Sequence, residues 1–250
     1  MDLNNPDIRQ SLLRERLCAG TALVAAELAD EFGISIDTVR RDLIALEAEG
    51  AIRRVRGGAL PVRTPAAPLA ERRAATPVPP SLVTATLQEL GGARTLLLDG
   101  GTTVMAIARA MTPAAGLLVI TPSPWIAVAA AERGIEVVTL GGQISARGGI
   151  AIGTDVTAAL AGTAAEIALL GACGLDAEFG LSSDDVLESA VKRAMAQAAR
   201  KVLVVTGAAK IGLRARHRTL APDEIDGIVT DAPPVAAAAL RDKGIEVRHG

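Results

Sequence analysis

Residues 35–42, Ser-Ile-Asp-Thr-Val-Arg-Arg-Asp, decide the fold of the N-terminal part of the chain. Ser35 suits a helix N-cap, because its hydroxyl accepts a hydrogen bond from a backbone N–H that has no partner inside the helix. Apolar residues then recur every three or four positions, which predicts one buried helical face made of Ile36, Val39, Leu43 and Leu46. Thr38, Arg40 and Arg41 point away from that face, so they are available to contact something outside the domain.

The flanking residues predict a helix-turn-helix unit followed by a wing. Residues 24–32 have an amphipathic helical pattern, and Gly33 allows the left-handed turn that ends a helix. Two helices joined by a three-residue turn are typical of DNA-binding helix-turn-helix units, and an earlier helix over residues 8–17 adds a third wall. Residues 51–59 alternate apolar and basic side chains up to a glycine turn. This pattern indicates a β-wing that carries Arg53, Arg54 and Arg56.

The N-terminal helix-turn-helix unit with its wing, residues 1–60, is called the head, and it resembles the DeoR family of bacterial transcription repressors. The resemblance rests on Ser35, Thr38, Val39, Arg40, Arg41, Asp42 and Leu43 and on the wing end Arg56-Gly57-Gly58-Ala59-Leu60-Pro61. It implies that the second helix enters the major groove of double-stranded operator DNA and that the wing arginines bind the DNA backbone. The predicted DNA-binding residues are Ser35, Thr38, Arg40, Arg41, Arg53, Arg54 and Arg56.

Two alternatives stay open for the head. An arginine pair on a helix is usually a solvated face, and some winged helices serve only as protein contacts. Residues 1–58 hold eight Arg against ten Asp and Glu, so any positive DNA-binding patch must be local. The arginines concentrate on the second helix and the wing, which favours DNA binding.

Composition limits the remaining function classes. The chain has 250 residues, of which 50% are hydrophobic, and a net charge of −2, so it has no overall attraction to nucleic acid or membrane. It begins without a cationic apolar leader and has no run of about 18 apolar residues, which predicts a cytoplasmic protein. The two Cys, Cys18 and Cys173, lie in different regions, and with only His217 and His249 besides there are not enough ligands at a workable spacing for a zinc site, so no metal or cofactor is expected. The chain has no Tyr and only three Phe and Trp residues, so it has few aromatic side chains on which the bases of a single-stranded nucleic acid could stack, and duplex DNA is favoured.

A proline-rich stretch separates two predicted domains. Residues 61–80 contain six prolines, which forbid a continuous helix and favour an extended, semi-rigid linker. The sequence thus predicts a winged helix-turn-helix domain over residues 1–60 and an effector-sensing domain over residues 81–250. The DeoR pattern has a helix that begins near Glu71 and Arg72, and the later prolines are expected to break or delay it.

The second domain is predicted to be a mostly parallel α/β fold. Short apolar runs alternate with helical segments, as expected for strands buried on both faces of a parallel sheet. The predicted strands are Thr95–Leu98, Leu117–Ile120, Glu136–Leu140, Ile167–Leu170, Val202–Thr206, Gly227–Thr230 and Ile245–Val247. Ligands bind such sheets at the carboxyl ends of the strands.

The loop after the first of these strands is Asp99-Gly-Gly-Thr-Thr103. Glycines let backbone N–H groups approach a ligand, and the N-terminus of the following helix favours an anion, so the loop resembles a phosphate cradle. Asp99 would repel phosphate, and its better role is to bond a sugar hydroxyl or to brace the loop. The alternative is an ordinary strand-to-helix turn in which Asp and Thr only cap backbone groups.

The second domain also resembles the DeoR sensor domain, which is similar in fold to sugar-phosphate isomerases. The resemblance implies an effector site at Asp99, Gly101, Thr102, Thr103, Lys192 and Lys210, with a phosphorylated sugar or sugar-like metabolite as its ligand. Lys192 also has a local alternative, an exposed helix pair with Glu188. The chain departs from the family at Pro122, where Asn is usual, and at residues 207–210, Gly-Ala-Ala-Lys, where Asp-Ser-Ser-Lys is usual.

The favoured function is a homo-oligomeric repressor of a carbohydrate-metabolism operon, released from operator DNA by a phosphorylated effector. The alternative is a sugar-phosphate isomerase tethered to a DNA-binding head. Isomerisation needs a positioned base together with an acid or oxyanion donor. The available carboxylates show no such arrangement, and no catalytic residue is predicted; they are Asp99, Asp176, Asp184, Asp185 and Glu188.

Overall fold

The computed structural model describes residues 5–18, 23–49, 52–55, 57–61, 67–75 and 77–250. The chain forms two compact units, residues 1–64 and residues 65–250. Each unit has its own hydrophobic core. None of the described helices is both long and apolar enough to cross a membrane.

The described part of the first unit is a winged helix-turn-helix. Its elements are α1 (Pro6–Cys18), β1 (Leu23–Val24), α2 (Ala25–Phe32), α3 (Ile36–Ala48), β2 (Ile52–Val55) and β3 (Gly58–Pro61). The strands form an antiparallel sheet in the order β1-β3-β2. Gly33 ends α2 at φ +65°, and Ser35 caps α3 through its side chain, so the predicted turn and helix start are confirmed.

The predicted buried face of α3 is confirmed in part. Val39, Leu43 and Leu46 are buried in the core with Leu28 of α2. Ile36 is 39% exposed, contrary to prediction. It is the first residue of α3, and the buried stripe begins one turn later at Val39.

Part of the predicted linker belongs to the second unit. Residues 69–75 form a helix, α4 (Leu69–Ala75), and α5 (Pro80–Leu90) begins at the last of the six prolines. Proline suits the first position of a helix, because its missing N–H has no helical partner there. Pro80 therefore starts α5, and the prolines before it separate α5 from α4.

Seven strands of residues 77–250 form one sheet in the order β15-β14-β12-β9-β4-β5-β6, and every neighbouring pair is parallel. They are β4 (Thr95–Leu98), β5 (Leu118–Thr121), β6 (Glu136–Thr139), β9 (Ala165–Gly171), β12 (Ala199–Thr206), β14 (Gly227–Thr230) and β15 (Glu246–His249). All seven predicted strands are therefore present, with ends shifted by up to three residues, and the predicted parallel α/β fold is confirmed.

Helices cover both faces of this sheet. Leu97 of β4 belongs to one core, whereas its neighbours Leu96 and Leu98 belong to the core on the opposite face, as expected for alternating side chains. The remaining helices are α6 (Thr102–Ala110), α7 (Pro124–Ala131), α8 (Thr154–Ala161), α9 (Val186–Gln197) and α10 (Ala238–Arg241), with short 3-10 helices at Ala208–Lys210 and Pro222–Glu224. The remaining strands are β7 (Gln143–Ile144), β8 (Ala151–Ile152), β10 (Gly174–Asp176), β11 (Gly180–Ser183) and β13 (His217–Leu220).

The strand order reverses between β4 and β9. From β4 the chain adds β5 and β6 on one side, and it then adds β9, β12, β14 and β15 on the other. The loops that leave the adjacent carboxyl ends of β4 and β9 consequently diverge to opposite faces. Such a switch point is where open parallel sheets form a ligand crevice.

Candidate functional site

The predicted DNA-contacting residues of α3 lie on its solvent-facing side. The Ser35 hydroxyl accepts a hydrogen bond from the Thr38 backbone N–H at 3.1 Å and lies 2.9 Å from the Thr38 hydroxyl. Arg40 forms an exposed ion pair with Asp37, three residues earlier, at 3.0 Å. Arg41 is exposed and forms no ion pair with any residue that the structure describes. Its guanidinium is therefore available for an outside partner.

A buried ion pair, absent from the sequence-based list of site residues, holds α3 against α1. Arg9 and Asp42 are only 3% and 4% exposed, and Arg9 donates from Nε to Asp42 Oδ2 at 2.7 Å and from Nη2 to Oδ1 at 3.2 Å. Asp42 lies within the apolar stripe of α3, between Val39 and Leu46. An acid in that stripe was the available signal, because a buried carboxylate needs a partner.

The wing is described in part. Arg54 donates from Nε to Glu47 Oε2 at 2.6 Å and from its backbone N–H to Glu47 Oε1 at 3.0 Å, which links β2 to α3. These two hydrogen bonds hold the pKa of Glu47 below its ordinary value. Arg56 and the side chain of Arg53 lie outside the described residues.

A cleft in the second unit opens at the switch point between β4 and β9. All six predicted effector residues line it, namely Asp99, Gly101, Thr102, Thr103, Lys192 and Lys210. These six residues come from the β4–α6 loop, α9 and the short helix at Ala208–Lys210, and the fold brings them together in one cleft. Besides apolar residues, four further side chains with charged or thiol groups line the cleft and were not on that list: Arg72, Arg147, Cys173 and Glu188.

The β4–α6 loop depends on its two glycines. A Cβ at position 100 would lie 2.4 Å from Ile150 Cγ2 and 2.8 Å from the Gly148 carbonyl oxygen, so only glycine fits there. Gly101 has φ +101°, a conformation that residues with a side chain rarely adopt, and it precedes the first residue of α6. The cleft therefore meets the N-terminus of a helix, where backbone N–H groups and the helix dipole favour an anion.

Asp99 and Lys192 form a buried ion pair at the base of the cleft. Asp99 is 1% exposed, and its Oδ2 lies 2.7 Å from Lys192 Nζ and accepts a hydrogen bond from the Gly171 backbone N–H at 2.9 Å. Lys192 Nζ also donates to the Gly171 carbonyl oxygen. The pair thus ties β4, β9 and α9 together, so Asp99 braces its loop. Its other oxygen, Oδ1, is buried without a hydrogen-bond partner among the described residues.

The environment keeps Lys192 charged. Burial lowers the pKa of Lys192, but the charge of Asp99, with smaller contributions from Cys173 and Glu188, raises that pKa above its ordinary value. The alternative of an exposed pair between Glu188 and Lys192 is wrong, because both side chains are buried. Their i, i+4 spacing is the same on an exposed and on a buried helical face.

Glu188 holds the glycine-rich loop at the rim of the cleft. Its Oε1 accepts hydrogen bonds from the Gly148 backbone N–H at 2.8 Å and from the Ser145 hydroxyl. Cys173 is a free cysteine that is half-buried and lines the cleft, so it is not a packing residue of the core. The side chain of Cys18 lies outside the described residues.

The two departures from the family pattern fall at different places. Pro122 does not line the cleft, and its carbonyl oxygen accepts a hydrogen bond from the Ala151 backbone N–H at 2.7 Å. Residues 207–210 bring Lys210 to the cleft, and Ala208 donates its backbone N–H to Asp231 at 2.6 Å. The described residues contain no cluster of His, Cys, Asp and Glu that could hold a metal ion.

Comparison with known proteins agrees with this arrangement. The family model described as the DeoR C terminal sensor domain matches residues 82–232, and the DeoR-like helix-turn-helix domain matches residues 9–64. The chain belongs to the DeoR family. This DeoR-family regulator therefore combines a DNA-binding head with a sensor domain, and the cleft lies within the sensor domain.

Relatives match over most of their length. The HTH-type transcriptional regulator GlpR of Haloferax volcanii is 31% identical over 214 residues, which cover 82% of this chain and 81% of that protein. The glycerol-3-phosphate regulon repressor of Escherichia coli K12 is 29% identical over 211 residues, with coverage of 83% and 84%. Among solved structures, ribose 5 phosphate isomerase A from Neisseria gonorrhoeae aligns with a TM-score of 0.36 and 12% identity over 52% of this chain and 50% of that one.

Proposed function

We propose that this DeoR-family protein represses a carbohydrate-metabolism operon and leaves its operator when a phosphorylated sugar or related metabolite binds the sensor cleft. The observation that carries the proposal is the charge of the cleft. Arg72, Arg147, Lys192 and Lys210 line it against Asp99 and Glu188, beside the N-terminus of α6, so four cations face two carboxylates. A phosphate dianion balances this excess.

The class of effector is also supported by a relative, since the Escherichia coli protein is named a repressor of the glycerol-3-phosphate regulon. We propose Thr102, Thr103, Gly101 and Lys210 as direct effector contacts, with Asp99 and Lys192 as the base of the site. In the head, we propose Ser35, Thr38, Arg40 and Arg41 as major-groove residues and the wing arginines at 53, 54 and 56 as backbone contacts. We further propose that the protein acts in the cytoplasm as a homo-oligomer.

The isomerase alternative has less support. Asp99 is salt-bridged to Lys192, and Glu188 accepts two hydrogen bonds from the rim loop, so both cleft carboxylates have structural partners. We therefore propose that the cleft binds its ligand without converting it.

The test combines binding with turnover. Fluorescence anisotropy should show that the full chain binds duplex DNA from its own promoter, and a phosphorylated metabolite that raises the melting temperature should weaken this binding roughly 5- to 150-fold. Thr102→Val should lose the response, whereas Thr84→Val, an exposed threonine on α5, should keep it. Steady conversion of an aldose or ketose phosphate that disappears in Asp99→Asn would establish the isomerase function instead.

The oligomer proposal has its own test. A symmetric oligomer places two heads on one face of the duplex, so footprinting should show half-sites with centres about one helical turn, or a multiple of it, apart. A single unrepeated site bound by a monomer would contradict it.

A further inference from the structure

The helix α4 docks on the rim of the sensor cleft. Leu69 is 4% exposed, and its backbone N–H donates to the Ala146 carbonyl oxygen at 3.1 Å. The Leu69 side chain lies over Gly149, where a Cβ would come within 2.1 Å of Leu69 Cδ2. The glycine-rich loop is therefore shaped to receive α4.

Arg72 extends from α4 into the cleft wall. Its Nη2 donates to the Arg147 carbonyl oxygen at 2.7 Å, and its Nε donates to the Ala67 carbonyl oxygen at 2.9 Å. A guanidinium has five N–H groups, so three remain beyond these two bonds. The next residue, Arg73, is exposed and lies outside the cleft, beside Trp125. Only one of the two adjacent arginines thus lines the proposed effector site.

Electrostatics makes the docking of α4 sensitive to an anion. Arg72 and Arg147 both line the cleft, where cations outnumber carboxylates, and bringing these like charges together is unfavourable. The Asp99 carboxylate is paired with Lys192 at 2.7 Å, so it does not neutralise the charge of Arg72 or Arg147. A phosphate in the cleft removes the repulsion and gains charge-assisted hydrogen bonds.

Helix α4 lies near the start of the second unit, so its docking shortens the segment that connects the first unit to the rest of the chain. The first unit ends at residue 64, and α4 begins at Leu69. With α4 docked, only four residues, 65–68, separate the first unit from it, whereas with α4 released fifteen residues, 65–79, separate the first unit from α5. A ligand that favours docking therefore restricts where the DNA-binding unit can go.

We infer that Arg72 is a ligand of the effector's phosphate group and that α4 is a strap whose docking depends on the occupied cleft. The inference rests on the proposed function and adds to it the element that connects the two units. Arg72 provides the positive charge that binds the phosphate group, and Leu69 provides the apolar contact with the loop at Gly149 that holds α4 in place.

The experiment is hydrogen exchange on the full-length chain with and without saturating inorganic phosphate, combined with thermal-shift titration of phosphate. In the wild type and in the matched control Arg73→Gln, phosphate should slow amide exchange in residues 69–75. In Arg72→Gln that protection should disappear, and the affinity for phosphate should fall roughly tenfold. Arg72→Lys keeps the positive charge but loses the planar guanidinium with its paired N–H donors. It should therefore retain part of the amide protection and part of the phosphate affinity.

The outcomes separate the inference from the proposed function. If Lys210→Ala loses phosphate binding but Arg72→Gln keeps wild-type affinity and protection, the cleft is a sensor and the strap is refuted. If α4 of Arg72→Gln exchanges fast with and without phosphate while the affinity is unchanged, Arg72 is only a structural tie and the inference fails. If neither inorganic phosphate nor any member of a phosphorylated-sugar panel binds the wild type, the proposed function fails and the inference with it.

Discussion

Asp42→Ala should destabilise the DNA-binding unit by about 3–5 kcal/mol, because the substitution removes the Asp42 carboxylate from a buried ion pair with Arg9. The estimate follows from burial, since Arg9 and Asp42 are 3% and 4% exposed and joined by two hydrogen bonds. Domains are typically stable by about 5–15 kcal/mol, and small ones lie near the lower limit. The variant head should therefore be partly unfolded at room temperature, and operator binding should fall with it.

The chain offers a direct assay for this unit. Trp125 is the only tryptophan and lies in the second unit, so its fluorescence reports unfolding there, whereas far-UV circular dichroism reports the helices of both units. In urea, Asp42→Ala should lose dichroism early while the fluorescence transition stays in place. Asp37→Ala is the matched control on the same helix, because its pair with Arg40 is exposed and is worth about 0–1 kcal/mol.

Two results would refute the reasoning. One is an Asp42→Ala variant no less stable than Asp37→Ala. The other is a double variant, Arg9→Met with Asp42→Leu, that is as unstable as Asp42→Ala, because removing both charges from a buried pair should recover most of the loss.

Three further predictions concern single side chains. Arg41→Ala should cost about 1–3 kcal/mol of operator binding and relax discrimination at one base pair, whereas Arg54→Ala should weaken all duplexes alike in competition titrations. Lys210→Ala should bind the operator normally yet show no release by effector in anisotropy titrations; release at wild-type effector concentrations would remove Lys210 from the site. Lys192→Met should lower stability by about 3–5 kcal/mol, because Asp99 stays buried and unpaired. In the wild type the pKa of Lys192 is raised, so its stabilisation is complete below the unfolded value of about 10.4 and is lost as pH rises through the higher folded value; Lys192→Met should lack this alkaline loss in melts against pH.

The sequence could predict the parallel sheet because its inner strands are buried on both faces. In Thr95–Leu98 the three leucines are all buried although they alternate between the two faces, and such apolar runs are too short for helices. The ends of the strands were harder to predict from the sequence. Strand β12, for example, begins at Ala199, three residues before the apolar run that predicted it. Pairing with a neighbour extends a strand beyond its apolar residues, and one strand's sequence does not contain that information.

The prolines of the predicted linker interrupt the helix between Ala75 and Pro80, as expected, but they leave room for a short helix before that break. Six prolines in residues 61–80 predicted extended backbone, yet none of them falls within Leu69–Ala75, Leu-Ala-Glu-Arg-Arg-Ala-Ala. Those seven residues favour a helix, and Pro68 before them suits a helix start. Their docking on the rim loop could not be predicted, because Leu69 contacts a glycine 80 residues later in the chain.

The candidate effector residues divide into two roles that the sequence left unresolved. Asp99 and Lys192 satisfy each other's charge across β4 and α9, so they add little net charge to the cleft and mainly hold its base. In the proposed site, we expect Thr102 at the α6 N-terminus, Lys210 and Arg72 to provide the attraction for an anion. Because a carboxylate repels phosphate, we expect the phosphate group to lie on the side of these three residues, away from Asp99. That orientation makes phosphate the part of the effector that α4 senses, and the remainder the part that sets specificity.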